Sequence, residues 1–251
     1  MSKGRIRGIS LLVLGLLVVI SLPGLTMAMD VNEIIARVDE NQHISSARME
    51  AEMLIVKGDR EIGKNMTVLT KGDSAYIKFT NPKDRGTKYL KVGANLWMFF
   101  PDAEEIIKIT GSMLDQGMMG SDFSYQDIME SEKLTDLYTF SLLREEEYHG
   151  RSCYVVEGFA KEDAEVTYFR RVSWIDKERF VVLKEELYAQ SGRILKVMRA
   201  DKVEQFDQRW YITEAVMEDK LRKDTRTEFR ITDMQFNIDI PADTFTLQNL
   251  R

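Results

Sequence analysis

From Ser46 onward, apolar residues recur at every second position in short runs separated by turn residues. This limits the fold more than any other feature, because a helix repeats every 3.6 residues and a strand every two. Met49, Ala51, Met53 and Ile55 alternate with Arg48, Glu50 and Glu52. Successive side chains of a strand point to opposite faces, so this run has one dry face and one wet face. Gly58-Asp59 is a turn, Ile62, Met66 and Val68 continue in a second strand, and Lys71-Gly72-Asp73 is the next turn. Ala75 to Phe79 form a third strand, closed by Asn81-Pro82. Residues 88–92, 96–100 and 105–109 make three shorter ones, parted by Gly93-Ala94-Asn95 and Pro101-Asp102-Ala103. Longer runs follow near 138–148, 151–160, 165–176, 180–190, 193–205, 209–221 and 225–239. Pro241 and the tail to Leu250 are expected as a last edge segment. Short strands with regular turn signals predict an antiparallel meander.

Two segments break this rhythm. Asp30 can cap a helix in which Val31, Ile34, Ile35 and Val38 share one stripe, with Glu33 three residues on in a capping-box position. Asn41 and the residues to Ser45 end it. Between Thr110 and Glu132, GSMLDQGMMGSD carries three glycines and three methionines with no strand period. FSYQDIME then predicts a short helix capped by Ser124. An open antiparallel sheet of about eleven strands or more is expected to curl or close. The expected fold is mainly β: a curled antiparallel sheet, or incomplete β-barrel, covered by a helical lid made of the first helix and the 110–132 stretch. Such a shape is a container for something apolar.

The N-terminus reads as an export address. Lys3, Arg5 and Arg7 precede an apolar run from Ile9 to Leu22, Pro23-Gly24 break it, and Thr26-Met27-Ala28 offer small residues for cleavage. The run falls short of the roughly 20 residues that a membrane span needs. The expected organisation is a signal peptide over 1–28 and a single domain over 29–251. Removing twenty-eight residues with three bases and no acids leaves 223 residues of formal charge −9, against −6 for the whole chain. Cys153 is the one cysteine and lies far from the leader, so no acylation site follows it and no internal disulfide can form. The periplasm is the expected location. The acidic balance argues against nucleic acid as a partner.

Motifs for chemistry are sparse. There is no G-x-S-x-G elbow, H-E-x-x-H, P-loop or G-x-G-x-x-G. The two histidines, His43 and His149, fall at a helix end and in a turn, and no metal or cofactor is expected. Cys153 sits in a strand as an inert thiol. Glu104-Glu105, Glu145-Glu146-Glu147 and Glu185-Glu186 are carboxylate clusters, but strand neighbours face opposite ways and do not pair on one side. The apolar clusters say more. Leu96-Trp97-Met98-Phe99-Phe100 is bulky on both faces, so this strand is covered twice or lines a cavity. Met113, Met118 and Met119 sit among glycines, where flexible thioethers adapt to varied apolar partners. An ordinary core under a loop would look the same.

NPKDRGTKYLKV, LWMFFPDAEEIIKITGSM and MGSDFSYQDIM, with Gly86, Trp97, Pro101 and Gly120-Ser121-Asp122 in order, resemble the LolA-like family of outer-membrane lipoprotein-sorting proteins. More narrowly, they resemble its subgroup of exported domains typified by a spirochaete lipoprotein. Trp174-Ile175-Asp176, the stretch from Gly192 to Val197 and the ending IPADTFTLQNL extend the resemblance over the expected mature chain. It implies an incomplete barrel with helices over its mouth, an apolar cavity, and a periplasmic carrier, not an enzyme, that shuttles lipid or lipoprotein acyl chains. An inner-membrane exporter or releasing complex and an outer-membrane acceptor are the implied partners. Trp97, Phe99, Met113, Leu114, Met118 and Met119 are then the expected cavity lining. Gly111, Gly117 and Gly120 are the expected gate. Trp97 and Phe99 share one strand face and Met98 and Phe100 the other, and the sequence leaves open which pair faces in. Arg85 reads as a turn arginine. Two rival readings are a partner subunit of a lipid exporter and a hydrolase acting on lipid or glycan.

Overall fold

The structure, a computed structural model, describes residues 29–129, 133–164 and 166–251. The expected leader, its cleavage site, residues 130–132 of the lid stretch and the first residue of the expected 165–176 strand lie outside the described residues.

Helix α1 spans Val31–Gln42. The Asp30 carboxylate accepts the Asn32 backbone N–H at 2.8 Å, as its capping position requires. Glu33 does not complete a capping box and instead pairs with Arg37 one turn on at 2.9 Å. Asn41 does not end the helix. Its side-chain amide donates to the carbonyls of Arg179 and Phe180, at 2.7 and 3.0 Å, and so ties the helix to the sheet. Ile34, Ile35 and Val38 are buried beneath it.

Among the described residues the periodic runs form thirteen strands. They are β1 (Ser46–Lys57), β2 (Arg60–Lys71), β3 (Ser74–Phe79), β4 (Lys88–Val92), β5 (Asn95–Phe100), β6 (Glu105–Ile109) and β7 (Tyr138–Tyr148). After them come β8 (Arg151–Ala160), β9 (Arg170–Asp176), β10 (Val182–Tyr188), β11 (Ile194–Phe206), β12 (Arg209–Asp219) and β13 (Thr225–Phe236). Hairpin turns use residues held at positive φ, such as His149-Gly150 and Asp207-Gln208, which matches the twist of the flanking strands.

All thirteen strands join one antiparallel sheet in the order β6-β5-β4-β3-β2-β1-β13-β12-β11-β10-β9-β8-β7. The chain starts in the middle, walks to one edge, crosses over, and walks back to pair β13 with β1. The sheet is neither closed nor strongly curled, which corrects the expected half-barrel curvature. An extended sheet must cover its apolar face somehow. Here α1 and the crossover between β6 and β7 lie over one face, called inner below, so closure is not needed to bury it.

The inner face carries two apolar clusters. The first holds Met53, Ile55, Met66, Phe79, Tyr89, Leu96, Met98 and Ile109 under the crossover. The second holds Tyr138, Phe140, Val156, Ile175 and Val182 under α1. Each fully buried large side chain contributes about 1.5–3 kcal/mol relative to exposure. The C-terminal tail is not an edge strand. It forms a short turn and a short helix over Leu247–Leu250, and fully buried Leu250 packs on the outer face against Leu90 and Phe99.

Candidate ligand-binding site

The crossover has no strand rhythm because it spans the sheet instead of joining it. It contains two 3-10 turns, Gly111–Met113 and Met118–Gly120, and then helix α2 (Tyr125–Met129). Ser124 caps α2: its hydroxyl accepts the Asp127 N–H at 3.3 Å, and the Asp127 carboxylate accepts the Ser124 N–H at 2.7 Å. Asp122 is buried and accepts the hydroxyls of Thr225 and Thr227 on β13, at 2.8 and 2.7 Å. Asp127 also accepts from Lys196 on β11 and from the Tyr168 hydroxyl, both at 2.6 Å. The crossover is thus fastened by two carboxylates, Asp122 buried and Asp127 largely so, with apolar packing between and around them.

Between the crossover and the sheet lies a methionine-rich layer. Met53, Met66 and Met98 rise from the strands, and Met113, Met118, Met119 and Met129 come down from the crossover. Thioether chains are flexible and polarizable, so this layer can repack around other shapes. Two tyrosines meet inside it. The hydroxyls of Tyr89 on β4 and Tyr125 on α2 are 3.3 Å apart. Burial above all, and then the neighbouring Tyr125, hold the Tyr89 hydroxyl far above the ordinary tyrosine range, so it stays protonated.

A cleft of about 890 Å³ opens beside this layer. Leu114 and Met129 of the first cluster and Val166 of the second line it, with His43, Gln126 and Asp136 among the polar residues of its rim. The cleft therefore lies at the seam between the two apolar clusters.

The expected lining residues do not form one wall. Met113, Leu114, Met118 and Met119 pack against the first cluster, as do Met98 and Leu96. Trp97 and Phe99 turn the other way, onto the outer face with Leu90, Ile106 and Leu250. Trp97 edges a separate outer cleft of about 580 Å³ beside Leu247 and Lys108. The inward pair of β5 is thus Leu96 and Met98, and Tyr89 and Tyr125, which sequence reasoning missed, sit beside them. The expected gate glycines differ among themselves. A side chain at Gly117 would meet the Ser121 carbonyl oxygen at 2.1 Å, whereas Gly111 faces open space at a φ of +55°. Gly120 adopts a φ of +82°. Arg85 is an exposed turn residue.

The other candidates are accounted for structurally. His43 closes α1 and His149 stacks edge-on against Tyr148. Burial, reinforced by Asp176, pushes the Cys153 thiol up to about 11, which leaves it protonated and unreactive. Glu145 pairs with Lys177, Glu146 with Arg144 and Trp174, and Glu186 with Lys184. Glu185 accepts from Ser173 at 2.8 Å. Among the described residues, no three His, Cys, Asp or Glu side chains gather where they could hold a metal ion.

A family model described as "uncharacterized protein" matches residues 71–251. A LolA superfamily protein from Nitrosomonas europaea is 26% identical with a TM-score of 0.73, and the match covers 88% of this chain and all of that one. The chain belongs to the LolA-like family. A DUF1329 family protein from Desulfovibrio piger is 25% identical with a TM-score of 0.81, over 87% of this chain and 97% of that one. A structure from Vibrio parahaemolyticus, described as an outer membrane lipoprotein-sorting protein domain, shares the LolA-like fold at 22% identity and a TM-score of 0.77, over the same shares of each chain. No curated protein matches the chain. The positions that carried the LolA-like resemblance have structural reasons. Gly86 packs against the Pro101 ring, where an added Cβ would come within 3.1 Å. Gly120-Ser121-Asp122 is the point at which the crossover is pinned to β13.

Proposed function

We propose that this LolA-like protein is an exported, periplasmic carrier that holds lipid acyl chains, those of lipoproteins above all, for transfer towards the outer membrane. In this reading the open sheet is the floor of the site, and the crossover with α1 is its helical lid. The observation that carries it is the methionine layer beneath a crossover fastened by two carboxylates, beside an open cleft that reaches both apolar clusters. A bound chain would displace Met113, Met118 and Met119 and take their place against Met98 and Leu96. Each CH₂ moved out of water contributes about 0.8 kcal/mol, so a long chain binds by burial without covalent chemistry. Gly111 and the residues to Gly120 are the segment that lifts. The donor would be an inner-membrane exporter or releasing complex, and the acceptor a protein of the outer membrane. The sorting description of the structurally similar Vibrio domain supports the same role.

Titrating the purified mature chain with a fluorescent acyl ester tests the reading. Saturable binding, with emission shifted to that of an apolar environment, is expected. A chain that takes up no acyl probe contradicts it, and would favour a partner-subunit role at an exporter.

A further inference from the structure

Within the methionine layer beneath the crossover two tyrosine hydroxyls meet. Tyr89 is fully buried, Tyr125 nearly so, and their hydroxyls face each other at 3.3 Å. The remaining partner of Tyr89 is the Met119 sulfur at 3.2 Å, and that of Tyr125 is the Met98 sulfur at 3.9 Å. Two hydroxyls bring two protons, and the pair can use only one between themselves. The other proton is left with a thioether, a weak acceptor. A buried donor on a weak acceptor is held at a cost that a carbonyl oxygen would remove. The residue supplying the sulfur is also the strained one. Met119 has a φ of +53° and a ψ of 21°, a left-handed conformation that non-glycine residues seldom hold. Tyr125 and Met119 belong to the crossover, while Tyr89 and Met98 belong to the sheet, so the feature spans the joint that must open.

We propose that the Tyr89–Tyr125 hydroxyl pair recognises the carbonyl oxygen of an acyl ester or amide, with the Met119 side chain withdrawing as the ligand enters. The proposal rests on the acyl-carrier reading and specifies its substrate class. A neutral carbonyl fits this site better than a free carboxylate. The surroundings are Phe79, Met98, Met118 and Ile77, and an ionised group is far costlier to bury there than a neutral one.

The test measures competition by a long-chain acyl methyl ester and by the alkane of equal length against a fluorescent acyl ester. Wild type is compared with Tyr89→Phe, Tyr125→Phe and the double variant. The readout is the ratio of ester to alkane affinity, and the double variant should lower that ratio about five-fold relative to wild type. An undiminished preference in the double variant overturns the proposal and leaves the carrier reading standing. Binding of neither probe by wild type overturns both. An independent measurement needs no variant: the infrared carbonyl stretch of a ¹³C-labelled ester bound to wild type. A shift to the lower frequency of a hydrogen-bonded carbonyl is expected, and the frequency of a carbonyl in hydrocarbon overturns the proposal.

Discussion

Replacing Asp127 by leucine tests how the crossover is held down. Asp127 and Lys196 are 2.6 Å apart, with side chains only 14% and 9% exposed. Removing one member of a buried pair leaves the other charged and uncompensated, which costs about 3 kcal/mol at the lower end for such sites. The same carboxylate receives the Ser124 N–H at 2.7 Å, and losing that cap adds about 1 kcal/mol. The crossover can escape this penalty by lifting, because lifting gives the Lys196 ammonium access to water. The cost should therefore appear as local opening of about 4 kcal/mol, a factor on the order of a thousand in exchange rate. The readout is hydrogen exchange at the Tyr125 and Gln126 amides, which donate to the carbonyls of Gln116 and Leu114 at 3.1 and 2.9 Å. Their protection should collapse while that of β1 and β13 holds. Adding Lys196→Met removes the stranded charge, so the double variant should recover all but the cap and the Tyr168 hydrogen bond, and exchange roughly thirty-fold faster than wild type. Unchanged protection in the single variant, or an equal loss across β1, would refute the latch.

Gly117→Ala should lower the melting temperature sharply, because its Cβ would lie 2.1 Å from the Ser121 carbonyl oxygen. Gly111→Ala has open space and should cost only about 1–2 kcal/mol for its positive φ; equal melting points for the two would discount the close approach. Asp176 is buried, which alone would raise its pKa, yet Arg151 and the N–H groups of Glu178 and Arg179 hold it below the usual carboxylate range. Its folded pKa lies below its unfolded one, so its contribution is complete above about pH 4 and is lost as acid takes the carboxylate through its folded pKa. Urea unfolding of Asp176→Asn should show a shallower loss of stability below about pH 4 than wild type, and an identical slope would count against the assignment. Trp97→Ala and Phe99→Ala should leave acyl affinity within about two-fold, since both face outward, whereas Met98→Glu puts a charge among the methionines and should abolish binding. Loss of affinity in Trp97→Ala would move the site to the outer face.

The strands were legible because their cause is local. Alternation and turn chemistry act within a few residues, and each of the thirteen expected runs holds a strand, although the one expected over 165–176 begins only at Arg170. The Ser124 cap was legible for the same reason. What the sequence withheld depends on contacts between distant residues. The pairing of β1 with β13 brings Ala47 opposite Phe236, and nothing near either residue announces the other. The sheet order then decides that the stretch after β6 must cross the inner face, and this sets which side of β5 lines the site. Trp97 and Phe99 were as apolar as Met98, so composition could not orient them. Only the tail, with Leu250 seated on Leu90 and Phe99, shows why the outer face is apolar too. Asp122 and Asp127 looked like loop acids, since their partners Thr225, Thr227 and Lys196 lie on late strands. Tyr89 and Tyr125 could have been flagged as tyrosines flanking the methionine stretch, but their meeting depends on the crossover's path.

Native mass spectrometry of the protein purified gently from its host tests the central claim most directly. The carrier account predicts a second population heavier by the mass of an acylated lipid or lipoprotein, which Met98→Glu eliminates. Protein of a single unliganded mass, from cells whose lipoprotein traffic is intact, would contradict it.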